Sequence, residues 1–389
     1  MPRTRPAIVL SIAVLAAHHA ASAQQQPPLE PPHYDEPEDN AFDDYVRAGE
    51  LLPEWVAQRV AEVCSSDRYQ PQDVDDIVET ADEALAVLRE GLPKSCLIPE
   101  GLDFSTPLPY LAKCRNLTRL LCVEGRQYEW KGDWGSALNA YLDGLKMAQD
   151  LARRGALIHK LVSIACESML LEEIRACVSE GQPDEPTLAR VAERLAELRT
   201  SRVLLREALL WEFHYIPGAL LDVRENPHKY ADDALGTDTQ AIIRRADLRE
   251  SVRDIEAYFR EAVARCAQPY PDNAAKPIGI PDDPLARIVC PAVGRALTRS
   301  IAADVAFIAT ETVLALERYR LKRREYPPEL AQLVPEFLPT VPRDLFDEQP
   351  LKYSRDGPSY FLYSVGQDMI DDGGTRGQET GDIVFHEPL

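Results

Sequence analysis

The chain is 389 residues long and carries 43 lysines and arginines against 64 aspartates and glutamates, a formal charge of −21 at pH 7. That field repels phosphate backbones, so the composition argues against a nucleic-acid-binding protein. The length suggests two or three domains, enough to bury a proper core.

In chain order, residues 1–23 read as a secretory signal peptide. Arg3 and Arg5 make a basic start, Ala7 to Ala17 an almost wholly apolar core, and Ala21-Ser22-Ala23 a small-residue cleavage site. The apolar core is too short to span a bilayer, which takes about 20 residues. No cysteine follows it, which argues against a lipoprotein anchor. Cleavage would remove two arginines and no acid, leaving a secreted or periplasmic chain that is more acidic still. No later segment is apolar enough for a transmembrane span.

Residues 24–41 are rich in proline, glutamine and acid, and read as a disordered leader. Helical periodicity then runs through 42–297, with candidate helices at 42–65, 73–91, 108–131, 134–153, 155–180, 184–212, 237–267 and 283–296. Asp73 and Asp184 suit helix starts; Gly91, Gly132 and Gly181 suit helix ends. Within 155–180, Leu157, Leu161, Ile164, Leu171, Ile174 and Val178 recur at threes and fours as a wide buried stripe. A proline-broken loop follows at 268–284.

Around the segment 132–151, Gly125, Tyr128, Gly132, Trp134, Ala137 and Tyr141 carry a pattern of small and aromatic residues. Small residues let two antiparallel helices approach, and the tyrosines fill the space between them. Over 118–151 this resembles a single tetratricopeptide repeat. A frame shifted by one repeat length of about 34 residues loses nearly all the matches. The hairpin therefore belongs either to a helical bundle or to a repeat scaffold.

All eight cysteines (64, 96, 114, 122, 166, 177, 266 and 290) lie beyond the signal. An exported chain permits disulfides between helices. Cys122, Cys166 and Cys177 also suit the role of small hydrophobes. No C-x-x-C motif or Cys/His cluster indicates structural zinc. Motifs for metalloproteases, serine hydrolases and nucleotide binding are missing as well. His159 and His214 fall on helical stretches, and Glu212 stands two residues from His214, so on a helix the two point to different faces.

From residue 298 the pattern changes. A long helix at about 300–325 meets Pro327-Pro328, which must end it. Two short strands follow at 351–354 and 359–364, joined through an Asp356-Gly357 turn. The fold class expected is mainly α: a helical bundle or hairpin domain, then a small α+β module over 298–389 with a long helix and a short antiparallel sheet.

This tail resembles the globular head of type II secretion major pseudopilins. The matching positions include Leu316, Glu317, Tyr326, Pro327, Asp344, Phe346, Tyr353, Tyr360, Leu362, Ser364, Gly366, Asp368 and Asp382-Ile383. Two departures stand out. Asp-Leu-Phe-Asp replaces the family's Asp-Pro-Trp-Gly, and the N-terminus lacks the features that pilus assembly needs. In that family the last loop binds Ca²⁺, a hard cation that takes 6–8 oxygens at about 2.3–2.6 Å. The resemblance implies Asp368 and Asp382 as ligands, with Ser364 offering a backbone carbonyl. Asp371 and Asp372 are further carboxylates without a firm family counterpart.

The residues thus favour an exported, non-enzymatic binding or organising protein of the cell envelope, whose partner the sequence does not name. Two alternatives stay open: an enzyme with its site in the helical domain, and an accessory of a type II secretion or pilus-like machine.

Overall fold

Prolines, glycines and capping side chains cut the long helical stretches into shorter rods. The computed structural model describes residues 29–65, 70–101, 108–226, 228, 236–377 and 381–388. The expected signal segment and the first residues of the leader lie outside the described residues.

The stretch expected as 42–65 is two helices, α1 (Ala41–Leu51) and α2 (Glu54–Cys64), parted at Pro53. Proline cannot donate the backbone bond that a continuous helix needs there. Asn40 caps α1, its side chain accepting from the Phe42 amide at 3.1 Å. The stretch 73–91 is likewise α3 (Pro71–Thr80) and α4 (Asp82–Gly91). Next come α5 (Pro109–Trp130), α6 (Trp134–Asp150), α7 (Leu157–Glu180), α8 (Glu185–Thr200) and α9 (Leu205–Glu225). Asp133 and Asp184 cap α6 and α8 by accepting from Ser136 and Thr187 amides at 3.0 and 2.9 Å. The expected helix 184–212 is broken at 201–204, between α8 and α9.

Beyond them lie α10 (Gly236–Arg245), α11 (Leu248–Arg265), α12 (Tyr270–Ala275), α13 (Ala286–Val289) and α14 (Val293–Arg323). Helix α14 begins seven positions before the expected 300 and runs unbroken through residue 298. It stops at Arg324, whose backbone turns left-handed (φ 67°) just ahead of the two prolines. Three strands close the chain: β1 (Lys352–Asp356), β2 (Ser359–Ser364) and β3 (Ile383–His386). They form an antiparallel sheet in the order β1-β2-β3, with Tyr353 opposite Leu362 and Ser364 opposite Ile383. Among the described residues the chain is thus mainly helical with one small antiparallel sheet.

Three buried clusters organise these elements. One joins α6, α7 and α8 to α14 and the sheet, through residues such as Tyr141, Leu170, Leu195, Leu316, Tyr360 and Leu362. A second fills the space among α1–α5, and a third lies among α9, α11, α13 and the start of α14. The alternation along β2 follows from the pleat: Tyr360, Leu362 and Ser364 are buried, while Ser359, Phe361 and Tyr363 are half-buried. The eight cysteines are free thiols, most of them buried as small hydrophobes.

Helices α5 and α6 pack tightly at Gly125 on α5. A Cβ there would stand 2.1 Å from the Tyr141 ring, and that ring is pinned by a 2.8 Å bond from its hydroxyl to Glu129. Alanine would add helix propensity worth roughly 0.5–1 kcal/mol. Overpacking of a fixed ring costs about 1–3 kcal/mol and outweighs it. Gly125→Ala is therefore expected to lower the urea midpoint; an unchanged or raised midpoint would show that the ring yields.

Candidate functional site

The acidic loop grows out of the end of β2. Val365 is buried, and at Gly366 the chain turns through φ 68°, where a Cβ would meet the Gly381 carbonyl at 2.4 Å. Only glycine fits that crossing. Beyond the turn, β3 returns beside β2, with Ser364 opposite Ile383. From the helical half, the Tyr270 hydroxyl donates to the Gln367 carbonyl at 3.1 Å and pins the start of the loop.

Each expected site residue has a definite position. Ser364 is fully buried, and its hydroxyl accepts from the Gly366 amide at 3.1 Å. Asp368 accepts from the amides of Ile370 (3.1 Å) and Gly381 (3.0 Å), bracing both ends of the loop. Asp371 accepts from the Tyr363 hydroxyl at 2.9 Å and the Gly373 amide at 3.1 Å, with Lys352 3.8 Å away. Asp372 contributes its backbone carbonyl to the Thr375 hydroxyl at 2.8 Å. Asp382 accepts from the Gly374 amide at 2.6 Å through one oxygen; its other oxygen, Oδ1, is buried with no hydrogen-bond partner among the described residues.

Electrostatics set Asp382 apart. Burial raises its carboxyl above the ordinary aspartate range, and the charges of Asp371 and Asp372 push the same way, against the amides of Gly374 and Asp372. A buried carboxylate oxygen without a donor is costly, and a cation is one way to satisfy it. In the other direction, Asp368 and Asp371 already spend oxygens on backbone amides and a tyrosine. Among the described residues no three His, Cys, Asp or Glu side chains gather closely enough to hold a metal. The donor chemistry suits a hard cation at Asp382, while the loop as folded is closed mainly on its own amides.

Asp344 organises this end of the sheet more than its place in the sequence motif suggests. Fully buried, it accepts from the amides of Phe346 (3.0 Å) and Val365 (2.9 Å), clamping the preceding turn to the exit of β2. Burial raises its carboxyl too, partly offset by these amides and by the Ser364 hydroxyl.

A comparison with protein-family models, with curated proteins and with solved structures finds no match for this chain. The function must accordingly be argued from the residues themselves.

Two other polar assemblies lie in the helical half. In the first, Arg202 makes a two-pronged pair with Glu167 (3.1 and 2.8 Å), bonds to Asp304 and lies 4.5 Å over the Phe307 ring. Lys160 is buried nearby; burial lowers its ammonium below the ordinary lysine range, and Glu167 only partly offsets this. In the second, residues 29–40 run without helix or strand across the surface, expected as part of a disordered leader but tied down at chosen points. Tyr34 stacks on Trp211 at 6.4 Å and donates to Glu207, and Glu36 pairs with the buried Arg154.

The histidines separate as well. His159 is in the core, within 2.6 Å of the Tyr110 hydroxyl, whereas His214 is exposed. Glu212 turns away from His214 and accepts from the Leu157 amide at 2.9 Å, a carboxylate at the N-terminus of α7. Near the end of α14 four cations are paired: Arg318 meets Glu185, Arg320 meets Glu317, and Lys322 and Arg323 meet Glu336. No described helix is long and apolar enough to cross a membrane.

Proposed function

We propose that this is an exported, non-enzymatic binding or organising protein of the cell envelope. In this reading its C-terminal unit is a pseudopilin-like module whose acidic loop takes Ca²⁺. The observation that carries the calcium part is the buried Oδ1 of Asp382, without a hydrogen-bond partner among the described residues and beside the charges of Asp371 and Asp372. Asp368, Asp371, Asp372 and Asp382, with the Ser364 carbonyl, are the groups that would hold the ion. When bound, calcium would offset the clustered carboxylates and fix the loop's closure on β3.

The test is a thermal melt of the full chain with and without millimolar calcium, read beside chelator. A ligand that binds only the folded state stabilises it by RT ln(1 + [L]/Kd). The melting temperature should rise with calcium, and Asp382→Asn should remove most of the rise. Identical melts with calcium and chelator would reduce the loop to a solvated acidic turn. Export is checked in parallel by N-terminal sequencing, which should find Gln24 first in protein recovered outside the cytoplasm.

A second reading, an enzyme sited in the helical half, draws on one observation. Lys160 is a buried amine with a depressed proton affinity next to a carboxylate, the environment that activates a lysine. What favours the binding reading is that Glu167 is already committed to Arg202 on both oxygens.

A further inference from the structure

We propose that the surface beneath residues 31–40 is a groove for a proline-rich peptide of a partner protein, occupied here by the chain's own strap. This rests on the binding reading above and gives that partner a chemistry.

The strap itself shows what the groove recognises. Its sequence is LEPPHYDEPEDN, and Pro31, Tyr34, Pro37 and Asn40 are half-buried while the two residues between each pair are exposed. A repeat of three is that of a polyproline II helix, which has about three residues per turn and no internal hydrogen bonds. A β-strand would alternate in twos, and an α-helix would not return every third position. The proline content of the segment favours the same conformation.

The floor beneath it is aromatic. Trp211 on α9 lies under Tyr34 with the planes 18° apart, Tyr215 continues the stack at 5.9 Å, and His214 meets the indole edge-on at 5.3 Å. Aromatic-lined grooves are the usual means of gripping polyproline II ligands, because the pre-extended peptide loses little entropy on binding. Beside the stack, the Arg154 guanidinium is buried and fixed by a 2.6 Å bond to the Ile98 carbonyl. It faces Glu36, two residues after the tyrosine. The Tyr34 hydroxyl finds Glu207. The groove thus reads a tyrosine and, two positions on, an acid.

Two further features mark the strap as an exchangeable occupant. Among the described residues, 29–39 are held by side chains, and no backbone hydrogen bond joins them to the helices. The Trp211 Nε1 donor is also buried without an acceptor among the described residues. A foreign peptide supplying a carbonyl there would make a bond that the strap does not, and so compete despite the strap's tethering.

The experiment uses the full chain carrying Tyr34→Ala and Glu36→Ala, which loosens the strap while leaving the groove intact. The probe is a fluorescein-labelled LEPPHYDEPEDN peptide, followed by anisotropy. Saturable binding at least ten-fold tighter than to the unchanged chain is expected, with a tyrosine-to-alanine peptide losing it. If the probe does not bind a variant that melts cooperatively, or binds both chains equally, or ignores loss of its tyrosine, the groove is only a docking place for the chain's own leader. If the double variant does not fold, Glu36→Ala alone carries the same comparison. None of these failures touches the calcium melt or the N-terminal sequencing, which test the underlying reading separately.

Discussion

Arg202→Ala should be among the most damaging single substitutions in the helical half, costing about 3–5 kcal/mol, the range for breaking one side of a buried ion pair. Glu167 is fully buried and Arg202 is 8 % exposed, so water cannot replace the lost partner. Burial alone would raise the Glu167 carboxyl; Lys160 and then Arg202 hold it below the ordinary glutamate range instead. Removing Arg202 leaves that carboxylate with Lys160, whose own ammonium is disfavoured by burial. The damage spreads beyond one contact because the cluster joins α7, the α8–α9 junction and α14 through Glu167, Arg202 and Asp304. Urea unfolding should show the midpoint falling. The combined replacement Glu167→Leu with Arg202→Met should cost less than the sum of the two single changes, since neither member of the pair is left facing a lost partner, while Lys160 and Asp304 still lose theirs. An unchanged midpoint for Arg202→Ala would mean that the pair is solvated.

That cluster shows where reading the sequence stops. Glu167, Arg202 and Asp304 stand far apart along the chain, and each alone resembles an ordinary polar residue on a helix. Nothing local predicts that folding sets them side by side. The helices are legible because their signals are local: Asp133 and Asp184 cap, Gly132 turns, and Gly125 makes room for a tyrosine on the next helix. Helix breaks at 53, 81 and 201–204 were harder, because apolar periodicity persists across them. The start of α14 at Val293 is hidden for the same reason, with Pro291 as its marker.

In the tail, the turn at Asp356-Gly357 announced β1 and β2, since a hairpin is a local event. Strand β3 depends on a long return to β2 that only the late Ile383 hinted at. The individual aspartates of the loop could be named from the sequence, whereas their division of labour could not. Asp368 and Asp371 turn to backbone amides, and the unpartnered oxygen falls to Asp382. The strap's signal is local: Pro31, Tyr34 and Pro37 are spaced by three.

His159 should make the protein lose stability in mild acid. The side chain is fully buried, and burial pushes its imidazole down from 6.5 to about 4, with the Ala156 carbonyl pulling weakly the other way. The Tyr110 hydroxyl lies 2.6 Å from Nε2, and Nδ1 is buried without a hydrogen-bond partner among the described residues, so a second proton would add a charge that the Ala156 carbonyl only partly offsets. Above pH 6.5 the ring is neutral folded and unfolded, and titration contributes nothing. As the pH falls below 6.5 the unfolded chain takes up a proton that the folded chain refuses, so stability drops until the folded ring also titrates near 4. At 1.36 kcal/mol per pH unit, the whole window is worth about 3 kcal/mol. Other groups titrate in the same range, so the informative measurement is a difference. Between pH 7 and pH 4.5 the unchanged chain should lose about 2–3 kcal/mol more unfolding free energy than His159→Gln, whose amide can meet Tyr110 without titrating. Parallel pH profiles for the two chains would mean that the ring reaches water when it takes its proton.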